Sequence, residues 1–84
     1  MSEMNIRVLA FAGLKEHLKF HQKTIDLPDD SRLRDAVVAV TGGETEAQSI
    51  ARYTLFAVNQ RYAPPSTPLR DGDEVALIPP VAGG

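Results

Sequence analysis

The stretch that decides the fold is Glu74–Gly84, which reads EVALIPPVAGG. Its four consecutive apolar residues, Val75–Ile78, predict a short strand with both faces shielded from water. The two prolines that follow lack backbone N–H groups and fix φ near −65°, so neither a sheet nor a helix can continue through them. We therefore expect the strand to end at Ile78 and the chain to leave it in an extended, polyproline-like form.

This reading divides the chain into a folded domain, residues 1–78, and a C-terminal tail, residues 79–84. An extended tail of that length could hold its terminal carboxylate roughly 20 Å from the end of the strand. Because Gly83 and Gly84 have no side chains, the last part of the tail could enter a channel too narrow for other residues. The carboxylate of Gly84 is thus the candidate reactive group.

Length and composition narrow the class of protein. Eighty-four residues fit one domain. The absence of cysteine excludes disulfides and thiolate metal sites. A net charge of −2 with scattered basic residues does not predict nucleic-acid binding. We find no run of about 20 apolar residues for a membrane span and no secretory signal at Met1–Asn5, so we expect a cytoplasmic protein.

The first half of the chain predicts a β-hairpin and a helix. Met4–Phe11 alternates in hydrophobicity with a period of two, and its partly apolar second face suggests a central strand. After a helical turn at Leu14–Leu18, Gln22–Leu27 reads as an antiparallel partner. An apolar stripe of period 3.6 then predicts the main helix, with N-caps expected within Pro28–Ser31 and an end at Gly42-Gly43. The stripe consists of Leu33, Ala36, Val37 and Val40.

The second half predicts mainly strands. Glu44–Arg52 is compatible with either a loop or a short helix. Tyr53–Val58 and Arg61–Ala63 read as strands joined by a tight turn at Asn59-Gln60, since Asn tolerates the left-handed region. An Asp-Gly turn at residues 71–72 precedes the last strand.

This order of elements predicts an α+β fold of the ubiquitin-like β-grasp type. In it, a mixed sheet carries one main helix on one face, and the last strand lies beside the first. If Val75 and Leu77 face the helix, Ala76 and Ile78 face outward, and Tyr62 on a neighbouring strand could extend an apolar patch. An apolar patch beside a projecting tail predicts a docking surface.

Three segments resemble the small subunit of molybdopterin synthase, a family of β-grasp sulfur carriers. They are Ala57-Val58-Asn59-Gln60, then Pro68-Leu69 with Asp71-Gly72-Asp73-Glu74-Val75-Ala76, and finally Pro79-Pro80-Val81 with Gly83-Gly84. The opening Val8-Leu9-Ala10-Phe11-Ala12 is similar as well, so the resemblance spans nearly the whole chain. A terminal Gly-Gly alone is unspecific, whereas this ending after Asp-Gly-Asp-Glu-Val is far more restrictive.

The resemblance implies a function for the tail. An adenylating, ubiquitin-activating-like enzyme would use ATP to activate Gly84, and a sulfur donor would convert it to a thiocarboxylate. That sulfur would pass to a pterin precursor in the large catalytic subunit of molybdopterin synthase. Gly83 would be the required small neighbour. Partner contacts are implied for Tyr62, Ile78, Pro79, Pro80 and Val81. The chain itself would bind no cofactor and would act within a hetero-oligomer.

Other interpretations remain open from the sequence. The chain could serve thiamin synthesis or tRNA thiolation, or it could be a ubiquitin-like modifier or binding module. His17 and His21 lack a third ligand of suitable spacing, so we interpret them as surface residues and expect no metal site. Asp71, Asp73 and Glu74 lack the ligand series of a calcium loop and are better explained by a turn. We identify no nucleophile–histidine–acid set, so we expect a carrier without an active site of its own.

Overall fold

The computed structural model describes residues 2–79, which form one mixed sheet and three helices. The strands are β1 (Glu3–Ala10), β2 (Gln22–Pro28), β3 (Leu55–Val58), β4 (Arg61–Tyr62) and β5 (Glu74–Ile78), and the helices are α1 (Ala12–Leu18), α2 (Leu33–Thr41) and α3 (Glu44–Ala51). The five strands lie in the order β2-β1-β5-β3-β4. The predicted α+β, β-grasp arrangement is therefore confirmed.

β1 is an interior strand, as its two-sided pattern predicted. It pairs antiparallel with β2, where Ile6 lies opposite Ile25. On its other side it pairs in parallel with β5, where Val8 lies opposite Val75. The first and last strands thus meet in the middle of the sheet, and β5 is itself flanked by β1 and the antiparallel β3.

One face of this sheet forms the floor of the core. The alternating residues of β1 and β5 that point to it are fully buried, with exposures of 0% for Ile6, Val8, Val75 and Leu77. The apolar stripe of α2 covers them, since Leu33, Ala36 and Val37 are also buried. Burial of whole aliphatic side chains stabilises a fold by about 1.5–3 kcal/mol each, so this layer supplies much of the driving force for folding.

The sequence predicted the C-terminal end of α2 correctly but not its N-cap. Gly42 ends the helix as predicted, with φ of 96° and its N–H donating to Val38 O at 3.2 Å. The expected N-caps in Pro28–Ser31 are wrong, because the N-cap is Arg32, whose backbone N–H donates to Asp35 Oδ2 at 2.7 Å. Ser31 instead directs its hydroxyl to Pro28 O, 2.7 Å away, which closes the preceding turn.

The undecided segment after Gly43 is helical. α3 buries Ala47 and Ile50 against the core and leaves its polar residues exposed. Only two buried positions in eight residues explain why the sequence pattern did not separate a helix from a loop. β3 begins at Leu55, two residues later than predicted.

The β3–β4 hairpin turns through two left-handed residues, Asn59 with φ of 51° and Gln60 with φ of 71°. Two positive φ values in a two-residue loop are typical of a type I′ turn, which matches the twist of the flanking strands. The predicted tight turn is confirmed. Gln60 is the less favourable of the two, since type I′ turns prefer glycine at this position.

We predict that Gln60→Gly raises the free energy of unfolding by up to about 1 kcal/mol. A left-handed L-residue costs about 1–2 kcal/mol, and the extra freedom of glycine in the unfolded chain offsets about 0.5–1 kcal/mol of the gain. Urea denaturation measures the change. Gln60→Ala is the matched control, because it keeps the Cβ atom and should give no gain. Equal stabilisation by both variants would contradict this account of the turn.

Candidate functional site

Within residues 2–79, no helix lies over the second face of the sheet, because the buried residues of all three helices belong to the core on the opposite side. The strand registers show which residues share this outer face: Leu9 pairs with Ala76, Ala57 with both Ala76 and Tyr62, and Leu55 with Ile78. The prediction that Ala76 and Ile78 point away from the helix is confirmed, and Tyr62 lies on the same face.

These side chains form an apolar area that we call the outer patch. It comprises Leu9, Phe11, Leu55, Ala57, Tyr62, Ala76 and Ile78. Most of its members line a shallow hollow of about 390 Å³. The three largest exposed side chains in it are Phe11 at 38%, Leu55 at 53% and Tyr62 at 74%. Such a concentration of exposed large apolar residues on one face indicates an interaction surface.

The outer patch occupies only one end of the outer face. At the other end, the residues on this face are polar, and they bond to one another. Arg7 Nη2 contacts Glu74 Oε2 at 2.8 Å, and Asn5 Nδ2 donates to Asp26 Oδ1 at 3.1 Å. The apolar end is the one at which β5 finishes at Ile78, so the patch lies beside the origin of the tail.

The Asp-Gly-Asp sequence before β5 serves the fold. Asp71 Oδ1 accepts the Asn5 backbone N–H at 2.7 Å, and Asp73 accepts from the Arg70 backbone and from Asn59 Nδ2 at 2.8 and 2.9 Å. Gly72 has φ of 88°, a value that favours glycine. The predicted turn is confirmed, and its carboxylates tie the start of β5 to β1 and to the hairpin.

Several predicted site residues belong to the tail. Pro79, the last described residue, is half-buried directly after β5. Pro80, Val81, Gly83 and Gly84 lie outside the described residues, so the predictions for them remain predictions. Ile78 and Tyr62 are the predicted contact residues that the structure places together on the outer patch.

Sequence reasoning missed four members of the patch, namely Leu9, Phe11, Leu55 and Ala57. Leu9 and Phe11 were interpreted only as a sign that β1 is central, and neither Leu55 nor Ala57 was assigned to the patch. The signal was present, because Leu55 and Ala57 alternate with the core residues Phe56 and Val58. What the sequence could not provide was the register that brings them beside Ile78.

The histidines do not gather into a site. His17 Nε2 lies 3.8 Å from Glu46 Oε2 on the surface, whereas the His21 ring packs edge-on against Phe11 with centroids 6.0 Å apart. Within residues 2–79, no cluster of three or more His, Cys, Asp or Glu side chains is arranged to hold a metal ion. Over the same residues, no helix has the length and apolar character to span a membrane.

Comparison with known proteins shows which family this sequence matches. The ThiS family model matches residues 8–84. A molybdopterin synthase sulfur carrier subunit from Chlamydomonas reinhardtii is 36% identical over 83 residues, which cover 96% of this chain and 100% of that protein.

Two solved structures are similar to this chain in fold. SAMP1 from Haloferax volcanii superposes with a TM-score of 0.82 and 26% identity, covering 95% of this chain and 99% of its own. A chain in the complex of subunits 1 and 2 of molybdopterin-converting factor from Helicobacter pylori has a TM-score of 0.63 and 26% identity, with 96% and 100% coverage. The protein described here therefore belongs to the ThiS family, and it has the ubiquitin-like β-grasp fold of the molybdopterin synthase sulfur carrier subunits.

Proposed function

We propose that this chain carries sulfur for molybdopterin synthesis, as a thiocarboxylate on Gly84, and delivers it to the large subunit of molybdopterin synthase. The observation that carries the proposal is the outer patch beside the end of β5, from which the tail starts. A carrier needs a surface that fixes its tail in the partner's active site, and here that surface and the start of the tail are adjacent.

The energetics favour a tail that works together with a patch. Ordering a flexible chain costs about 1–2 kcal/mol per residue, and glycines lose the most freedom. The burial of one aliphatic side chain returns only about 1.5–3 kcal/mol. The tail alone would therefore bind weakly, whereas burial of Phe11, Leu55, Tyr62 and Ile78 could supply the free energy needed to order it.

The nature of the partner is supported by two comparisons. The Chlamydomonas reinhardtii relative is described as a sulfur carrier subunit of molybdopterin synthase, and the Helicobacter pylori structure is a complex of subunits 1 and 2 of the converting factor. By analogy, we propose that the outer patch of this chain docks on the corresponding large subunit, with the tail reaching its active site.

The first chemical step must activate the terminus, because a carboxylate is a poor electrophile. We propose that an adenylating enzyme binds ATP and directs an oxygen of the Gly84 carboxylate to the α-phosphate, with release of pyrophosphate. In the resulting acyl-adenylate, AMP is a good leaving group. A hydrosulfide equivalent from a sulfur donor then attacks the acyl carbon, expels AMP, and leaves the thiocarboxylate.

In the second step, the large subunit transfers this sulfur to the pterin precursor, and water restores the Gly84 carboxylate. The roles proposed for this chain are mechanical: Gly83 lets the end of the tail pass through a narrow channel, Pro79 and Pro80 limit its conformations, and Val81 anchors it. ATP would be bound by the activating enzyme.

We predict that the protein isolated from its native host contains a fraction whose mass is raised by one oxygen-to-sulfur exchange at Gly84. The same product should form in vitro with the adenylating enzyme, ATP and a sulfur donor. A variant lacking Gly84, or one extended by a single alanine, should not be converted and should not support molybdopterin synthesis. Intact-protein and fragment mass spectrometry measures the exchange.

The outcomes of this experiment separate the alternatives. Absence of sulfur at Gly84 under complete conditions would overturn the carrier function. Isopeptide-linked adducts through Gly84 in its place would indicate a protein modifier. Formation of the thiocarboxylate without transfer to the pterin precursor would indicate a carrier for another pathway, such as thiamin synthesis or tRNA thiolation.

We further predict that Ile78→Lys weakens binding to the large subunit by about 10- to 100-fold. Loss of the burial of one aliphatic side chain, about 1.5–3 kcal/mol, corresponds to that range at about 1.4 kcal/mol per factor of ten. Isothermal titration calorimetry measures the affinity, and urea denaturation checks that the variant remains folded.

Thr24→Lys is the matched control for this substitution. Thr24 is exposed on the polar end of the same outer face, opposite Arg7, so the same lysine introduced there should leave binding unchanged. Equal weakening by both variants, or wild-type affinity for Ile78→Lys, would show that the outer patch is not the docking surface.

A further inference from the structure

A concentration of positive charge lies next to the outer patch. Residues 11–23 contain three lysines and one glutamate, a formal charge of +2, while the rest of the chain has six basic and ten acidic side chains, or −4. The segment therefore has the opposite sign to the remainder of the protein. We call two of these lysines, Lys15 in α1 and Lys19 at its C-terminal end, the basic rim. Lys23 lies outside the rim, because it pairs with Val8 and therefore points to the core side of the sheet.

The fold places this segment beside the patch. Phe11, a member of the patch, packs edge-on against His21 with ring centroids 6.0 Å apart. The His21 carbonyl accepts the Ala10 N–H at 3.0 Å, which fixes the start of β2 beside the end of β1. Lys19 closes α1 by donating its N–H to Lys15 O at 3.0 Å. The basic rim thus borders the end of the sheet from which the tail leaves.

The lysines of the rim differ from the charged residues at the opposite end of the sheet. There, Asp26, Asp71, Asp73 and Glu74 accept internal hydrogen bonds or form an ion pair, and so stabilise the fold. The rim lysines are exposed, and the ion pairs within residues 2–79 include none of them. Lys23, which is not part of the rim, lies on the core side of the sheet with its Nζ 5.7 Å from the Phe20 ring centroid.

We infer that the basic rim steers the docking of the outer patch by attracting acidic side chains that border the binding surface of the large subunit. This inference rests on the proposed function and names the chemistry of the partner at one edge of the interface. Exposed complementary charges around an apolar contact raise the association rate more than they lengthen the life of the complex. The attraction is long-range and is screened by salt.

The test compares two charge-matched double variants in stopped-flow association with the large subunit. The first, Lys15→Gln with Lys19→Gln, removes two charges of the rim. The second, Arg34→Gln with Arg70→Gln, removes two exposed charges from α2 and from the loop before β5, away from the rim. At low ionic strength we expect the lysine variant to associate about five- to tenfold more slowly than wild type. The arginine variant should stay within about twofold of wild type.

The salt dependence of the association rate and a double variant that keeps the positive charge give two further tests. Near 0.5 M salt the difference between the lysine variant and wild type should shrink to less than about twofold, since the Debye length falls to a few ångströms. The variant Lys15→Arg with Lys19→Arg should associate like wild type. Wild-type association itself should slow as salt is added, a measurement that needs no substitution.

Each contrary result overturns the inference. Equal slowing by the lysine and arginine variants would indicate an effect of net charge alone, and unchanged association of the lysine variant or salt-independent wild-type association would exclude steering by the rim. These results are distinct from failure of the proposed function, in which wild type would not bind the large subunit at all. The Ile78→Lys variant separates the contribution of the outer patch from that of the basic rim, because its affinity should be low at every salt concentration.

Discussion

The parallel pairing of β1 with β5 is the interaction on which the rest of the structure depends. It brings the two ends of the domain together in the middle of the sheet, with Val8 opposite Val75 and Ala10 opposite Leu77 on the core side. Every residue in these pairs is fully buried. Because the side-chain period of a strand is two, a slip of one residue would turn all of them to the solvent. The core therefore specifies the register strongly.

The same register determines the outer face. Once Val75 and Leu77 are buried, Ala76 and Ile78 must face outward, and pairing with β1 and β3 places Leu9, Ala57 and Leu55 around them. The apolar patch is thus a consequence of how the core is packed. In an isolated domain it would cost solubility, which fits a surface that is covered in a complex.

Division of the outer face into an apolar and a polar end gives the surface a direction. The polar end carries the Arg7–Glu74 pair and the hydrogen bonds of the Asp-Gly-Asp loop, which hold the start of β5 to the fold. β5 ends at the apolar end of this face, which the basic rim borders. A partner that covers the patch would therefore meet the origin of the tail and a positively charged edge in one fixed orientation.

Much of the fold was determined by the sequence alone. The alternation in β1, the stripe of α2, the glycine at its end and the turns at Asn59-Gln60 and Asp71-Gly72 are local signals, because they depend on backbone geometry and on periodicity within one segment. The resemblance of the C-terminal third to sulfur carriers also identified the family. The sequence did not predict two features of the helices. α3 was not distinguished from a loop because it has few buried residues, and the N-cap of α2 was misplaced because it depends on the side chain of Asp35.

The candidate docking surface was predicted only in part. The sequence named Tyr62, Ala76 and Ile78 for this surface. The register of three strands distant in the chain added the others, which are Leu9, Phe11, Leu55 and Ala57. The basic rim likewise requires the contact between Phe11 and His21. The sequence by itself determined which residues are apolar, charged or conformationally special. Only the tertiary structure decided which of them share a surface, because pairing between distant strands is fixed by burial of the whole core and not by any one segment.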